Sequence, residues 1–324
     1  MNSSVTRRQF VRTAAAATAG LTLAARSGVA EASPLYPPMD LSYFERPITA
    51  ASADIKFGYA AITWQEKDRQ AIEEVAAVGF TGIQLRTSVL PEFADKPAAL
   101  KELLAKHRLT LTAFSSGAVR IDPELETEQI ATHLKHARFV RDVGGHYLQL
   151  TDSRPKRQLS ASDYRRLGQL LAEIGKRSAD LGVPIGYHNH MNAIGERPEE
   201  VDRVLDAADP RYVKVLLDVA HYQQGGGDPA AAVKKYASRL LFLHIKDVQS
   251  PLPGNSGDPM RSYRFVELGH GTVDLKGVFA ALEAVKFRGW AIVELDRVPE
   301  AARTPKESAM MAKDYLKKIG YEVG

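Results

Sequence analysis

The chain has 324 residues, 44% hydrophobic and 25% charged, the balance of a soluble globular protein with a sizeable core in one large domain or two small ones. It contains no cysteine, which excludes disulfides, thiolate zinc sites and a cysteine nucleophile. The formal net charge is +4, but Arg7, Arg8, Arg12 and Arg26 against Glu31 put most of it in residues 1–32; the rest carries about +1, a poor electrostatic case for nucleic acid.

Residues 1–32 read as an export signal. Thr6-Arg7-Arg8-Gln9-Phe10-Val11 resembles the twin-arginine motif, residues 13–25 are an alanine-rich apolar run, and Ala30-Glu31-Ala32 offers small residues at cleavage spacing. The run is too short to span a bilayer, which takes about 20 apolar residues. The expectation is a passenger of the twin-arginine export machinery, periplasmic or otherwise exported, with no membrane segment in the mature form. Residues 33–54, with Pro34, Pro37, Pro38 and Pro47, read as an extended lead-in.

From residue 55 to 324 apolar runs alternate with helical segments. The predicted strands are 55–62, 82–85, 109–114, 147–150, 184–187, 213–217, 240–243 and 291–293. The predicted helices are 66–78, 98–107, 127–143, 161–181, 198–208, 229–237, 275–285 and 306–319. Short continuous apolar runs are the pattern of parallel strands buried on both faces. Eight of them, each followed by a helix, predict a single (β/α)8 TIM barrel. An open doubly wound sheet would show a glycine-rich phosphate turn after its first strand; Gly225-Gly226-Gly227 comes after the sixth and reads as a flexible loop. Pro198 and Pro229 suit a first helical turn, with Asp228 as an N-cap. Residues 249–274, rich in Pro, Gly and Ser, would overhang the barrel mouth as a lid or a solvated insertion.

Four consecutive runs end in metal-binding side chains. They lead into His188-Asn189-His190, Asp218-Val219-Ala220-His221, His244-Ile245-Lys246-Asp247 and Glu294-Leu295-Asp296. Barrel enzymes build their sites at the C-terminal ends of strands, so His188, Asp218, His244 and Glu294 are the expected ligands of a divalent ion (Mn, Mg, Co or Zn). Gln149 and Trp64 also end runs. Gln149 could contact metal or substrate, or make a core hydrogen bond; Trp64 could stack on a sugar face or simply pack. His190 is balanced between substrate contact and support of the ligands. Arg86 and Arg154 could bind an anionic substrate, although residues so placed are more often salt-bridged at the surface.

The motifs Tyr187-His188-Asn189-His190-Met191, Leu217-Asp218-Val219-Ala220-His221 with Gly226-Gly227-Asp228-Pro229, Leu243-His244-Ile245-Lys246-Asp247, Leu268-Gly269-His270-Gly271 and Gly289-Trp290-Ala291-Ile292-Val293-Glu294 resemble those of the xylose-isomerase-like sugar isomerase/epimerase superfamily. They are most similar to its inosose dehydratase branch. The resemblance implies a metal-dependent enzyme that works through an enediolate on a keto-sugar or keto-cyclitol. It implies Glu294 as ligand and base, His221 and Lys246 as groups that hold substrate oxygens or shuttle protons, and His270 as a loop residue reaching the substrate. Many epimerases of the superfamily carry glutamate where His188 aligns. A metal-bound imidazole has no free lone pair, so the chain is expected to favour one-sided proton removal and elimination, unless Lys246, Gln149 or His190 supplies a second proton donor. A sugar epimerase or aldose–ketose isomerase is the alternative. A noncatalytic sugar-binding barrel would go with lost ligands, and all four are present. An endonuclease on this fold would need a basic groove that the near-neutral chain lacks.

Overall fold

A computed structural model describes residues 53–252, 254, 257–258 and 260–324. The expected export signal and nearly all of the extended lead-in lie outside the described residues.

Eight parallel strands close into a barrel. They are β1 (Asp54–Ala60), β2 (Gly82–Arg86), β3 (Thr110–Val119), β4 (Tyr147–Asp152), β5 (Ile185–His188), β6 (Val213–Asp218), β7 (Leu240–Ile245) and β10 (Arg288–Val293). Neighbours in sequence are neighbours in the barrel, and β10 pairs with both β7 and β1. Two further strands, β8 (Asp247–Gln249) and β9 (Arg264–Val266), form an antiparallel ribbon; β8 leads into the segment 249–274 expected to overhang the mouth, and β9 lies within it. No described helix is long and apolar enough to cross a membrane.

The period-two alternation of a strand decides which residues point inward. Leu216, Phe242, Trp290 and Ile292 pack with Ala60 and Ala113 as the plug of the barrel. The larger cluster joins the outward faces of the strands to the surrounding helices. Gly186 completes the plug, because a Cβ there would lie 2.9 Å from the ring of Phe242 and 3.1 Å from Leu216 Cβ. Moving two residues along each strand from this layer gives His188, Asp218, His244 and Glu294. The ligand-bearing ends are thus fixed by the same alternation that fills the core.

The differences from the predicted elements are local. The first run leaves the sheet at Ala60 and turns through a short helix, Ala61–Trp64. Strand β3 runs five residues past the expected end, with irregular register between Ser115 and Ala118. Its Ser116 hydroxyl lies 2.7 Å from Nδ1 of both His133 and His136, tying the helix Glu126–Val143 to the strand. Burial pushes His133 down to about 4, and His136 adds to the effect. An unpredicted helix, Val219–Gln224, follows β6 directly. The glycine run after it is a close-packed turn rather than a flexible loop: a Cβ on Gly225 would sit 2.1 Å from the Glu196 carbonyl oxygen, and one on Gly227 2.3 Å from the Tyr222 ring. Asp228 caps the next helix, accepting from the amides of Ala230 and Ala231 at 2.9 and 3.1 Å.

Candidate metal centre

The four predicted ligands converge. One donor atom from each of His188, Asp218, His244 and Glu294 falls within 4.8 Å of all the others, and all four residues are buried. They come from β5, β6, β7 and the end of β10, four consecutive strands of the barrel. Asp218 Oδ2 lies 3.4 Å from His188 Nε2 and 3.5 Å from His244 Nδ1. Glu294 Oε1 is 3.4 Å from the same His244 nitrogen.

The donor set fits a divalent ion. Buried polar atoms are nearly always hydrogen-bonded, yet His244 Nδ1 is buried without a hydrogen-bond partner. It faces two carboxylate oxygens slightly beyond bonding distance, as three ligands around one cation would. Two imidazoles and two carboxylates are borderline ligands that suit Zn, Mn or Co. Burial disfavours charge on His244, but Glu294 and Asp218 outweigh it and lift the imidazole to about 9. His188 is pushed down to about 4 by burial. Asp218 and Glu294 are held well below the carboxylate range: burial opposes this, but His221 and Lys246 beside Asp218, and His244 and Lys246 beside Glu294, prevail.

Asp218 is held by several bonds. Asn189, unremarked in the sequence, accepts from its amide at 3.0 Å and donates to its carbonyl at 3.1 Å. Asp218 Oδ1 accepts from His221 N at 2.8 Å and caps the helix Val219–Gln224, so one carboxylate both starts a helix and turns its second oxygen to the metal position. Gln84 lies 2.9 Å from His244 Nε2, donates to Gln149 Oε1 at 2.7 Å, and Gln149 in turn lies 3.1 Å from His188 Nδ1. The two amides link the outer nitrogens of both histidine ligands, which fixes ring orientation. The sequence signal for Gln84 was a lone amide inside the run Gly82–Leu85.

A cavity of about 170 Å³ opens beside the ligands, lined among others by Gln84, Arg86, Ser115, Gln149, Thr151, His188, His190, Glu294 and Asp296. It is smaller than the roughly 300–1,000 Å³ of drug-sized sites and suits a single small ring. His190 and Gln149 therefore stand in its wall. His190 Nδ1 donates to Met191 O at 2.6 Å, leaving Nε2 available, and its ring lies 3.9 Å from that of His221.

His221 and Lys246 lie behind the wall, both fully buried. Lys246 Nζ contacts Asp296 Oδ1 at 2.6 Å and Glu294 Oε1 at 3.0 Å, and stands 4.0 Å over the ring of Phe265 from β9. Burial would lower its pKa, but Asp296, Glu294 and Asp218 raise it, so it acts as a fixed positive charge. His221 Nδ1 accepts from Met191 N at 3.2 Å, and burial drives its imidazole far below its usual range. Two expected contacts do not form. Trp64 is buried against Tyr59 with its indole N–H on Glu74 at 2.7 Å, so it packs and cannot stack on a sugar. His270 is exposed and outside the cavity wall.

A closed (β/α)8 barrel with a His/Asp/His/Glu centre at the C-terminal ends of its strands defines the chain as a metal-site barrel protein. The profile of the xylose isomerase-like TIM barrel family matches residues 72–318, and the chain belongs to that family. An inosose dehydratase of Lacticaseibacillus casei is 29% identical over 295 residues, 81% of this chain and 96% of the relative. The rhizopine catabolism protein MocC of Rhizobium meliloti is 27% identical over 308 residues, covering 83% and 90%. Among solved structures, an IolI protein with a binding zinc atom shares the fold at a TM-score of 0.67 and 20% identity, covering 82% of this chain and 97% of that one.

Proposed function

We propose that the chain is a divalent-metal-dependent carbohydrate lyase that eliminates a β-substituent from a keto-sugar or keto-cyclitol. The observation that carries elimination is the one-sidedness of the cavity. Its groups able to take a proton, His190, Glu294 and Asp296, all follow the ends of β5 and β10. The opposite wall, from β1 to β4, supplies Gln84, Arg86, Ser115, Gln149 and Thr151, none of which can return a proton to the far face of a ring. Epimerisation needs a proton donor there; elimination does not. The inosose dehydratase relatives support the same class of reaction.

His188, Asp218, His244 and Glu294 would hold a divalent ion, which would supply Lewis acidity toward the substrate carbonyl. Glu294 takes the proton from the carbon next to the ketone. The electron pair of that C–H bond becomes the new C=C bond, and the β-oxygen takes the proton back from Glu294 and leaves as water or an alcohol, while His190 Nε2 accepts a hydrogen bond from a substrate hydroxyl. Lys246 places a fixed positive charge beside Glu294, and Gln84 and Gln149 orient the histidines. Phe265 roofs Lys246 and excludes water, which strengthens every interaction beneath it.

The reading includes export by the twin-arginine route, for which the argument is the motif at Arg7-Arg8. An exported lyase of this kind meets oxidised glycosides, where elimination next to a ring ketone releases the aglycone. The test is NMR in D₂O on metal-loaded protein with keto-cyclitols, ketohexoses and 3-keto-glycosides. Loss of the leaving group is the expected result. Deuterium uptake with an inverted centre or a moved carbonyl would replace the lyase by an isomerase.

A further inference from the structure

The two arginines that end apolar runs have different fates. Arg154 is engaged, with Nη2 on Glu200 Oε1 at 2.5 Å and Nε on the Ala193 carbonyl at 2.9 Å. Arg86 lines the cavity and makes no ion pair or hydrogen bond among the described residues. It stands two residues beyond Gln84 on β2 and so shares the inward face. In register beside it is Ser115 of β3, which pairs in turn with Gln149 of β4. Thr151, two residues further along β4, carries a buried hydroxyl oxygen without a hydrogen-bond partner and lines the same wall. Arg86, Ser115 and Thr151 thus form a polar rim on the side of the mouth away from the metal ligands.

The charges of the cavity show what this rim is for. Asp218 and Glu294 match a divalent ion, and Lys246 and Asp296 pair with each other. Passing a proton from substrate to Glu294 moves charge within the cavity without changing its sum. Asp68 feels the Arg86 charge from outside the cavity wall, but among the groups that line the cavity Arg86 has no counter-charge, so it matches an anion that the substrate brings with it. A guanidinium beside two hydroxyls suits a planar monoanion held in a bidentate grip. We infer that Arg86, with Ser115 and Thr151, is a subsite for a carboxylate on the substrate, so that the substrate is a carboxylated keto-sugar or keto-cyclitol of the uronate type. This rests on the reaction proposed above and narrows its substrate.

The test is calorimetric titration of metal-loaded protein with sodium glucuronate, glucose and glucose 6-phosphate at fixed ionic strength, in the native chain, Arg86→Gln and Arg86→Lys. Metal content verifies that each variant keeps its fold and site. A charge-assisted hydrogen-bond pair predicts that glucuronate binds about ten to a hundred times more tightly than glucose in the native chain. Arg86→Gln collapses that ratio towards one, and Arg86→Lys leaves an intermediate value. A preference that survives Arg86→Gln would place the carboxylate on the metal and overturn the subsite, as would equal binding of glucuronate and glucose or no glucuronate binding at all. Stronger binding of glucose 6-phosphate than of glucuronate would overturn the carboxylate in favour of a phosphate. The reading of the reaction fails separately: proton exchange absent in D₂O with the Arg86-dependent ratio intact sinks the lyase and keeps the subsite.

Discussion

Metal binding at this centre should displace one proton, and the structure says from where. His244 Nδ1 faces Asp218 at 3.5 Å and Glu294 at 3.4 Å. Burial disfavours its charged form, but the two carboxylates outweigh burial and raise it to about 9; His188, at about 4, is already free base at neutral pH. A group with that pKa is about 99% protonated at pH 7, so apparent metal affinity lies about a hundredfold below its limit and rises about tenfold per pH unit until pH 9. Titration of metal-free protein with Mn²⁺ in two buffers of different ionisation heat, at pH 6.5 and 7.5, should report about one proton released per ion. Linkage gives a second readout. A raised pKa stabilises the metal-free fold fully below the unfolded value of about 6.5 and loses that contribution as pH rises through about 9. The Tm of metal-free protein should therefore fall across this window while that of metal-loaded protein holds. Zero protons released, with affinity flat between pH 6 and 8, would refute the assignment of Nδ1 as the shared site of proton and metal.

Other perturbations separate the parts of the centre. Asp218→Asn keeps an oxygen to cap the helix Val219–Gln224 but loses the metal charge, so circular dichroism should be unchanged while metal affinity falls; Asp218→Ala loses the cap as well and should cost a further ~1 kcal/mol in denaturant unfolding. Lys246→Met leaves Asp296 and Glu294 without their buried cation and should destabilise metal-free protein by about 3–5 kcal/mol, with part recovered on adding metal. Gly225→Ala drives a methyl into the Glu196 carbonyl oxygen, 2.1 Å from its Cβ, and should cost about 1–3 kcal/mol by thermal unfolding. Trp64→Phe removes the bond to Glu74 and some buried ring volume but should leave substrate affinity within twofold, since the indole is buried away from the cavity.

The ligand set was legible because each member follows an apolar run at the position where strand alternation points inward, and the run reports the strand. Trp64 satisfied the same test and failed it in space. The chain leaves the sheet at Ala60 and turns through Ala61–Trp64, so the end of the apolar run is not the end of the strand. The helix carrying His221 was hidden because Asp218 reads as a ligand, and its second role as an N-cap needs no further residue. Gln84 and Asn189 act by bonding to residues more than twenty positions away, which no local pattern encodes. His270 sits on a loop whose path is set by Asp247, which accepts from the amides of Gly269 and Gly271 at 2.9 Å each; that anchoring leaves the His270 ring exposed.

An imidazole rather than a carboxylate at residue 188 has a consequence beyond the metal. A glutamate there would put a third negative charge beside Asp218 and Glu294, and its second oxygen would be free to take a proton. His188 brings neither. Its Nδ1 lies against Gln149 and its Nε2 against Asp218, so both lone-pair positions are committed. On the proposed reaction, the acid–base work of the cavity then falls to Glu294, with His190 holding a substrate oxygen, and the opposite wall is released from proton chemistry. That wall is where Arg86 stands. A residue 188 without a free base on one side and a guanidinium without a counter-charge in the cavity wall on the other are compatible with a single demand: a substrate that is deprotonated from one face only and held at its far end by charge.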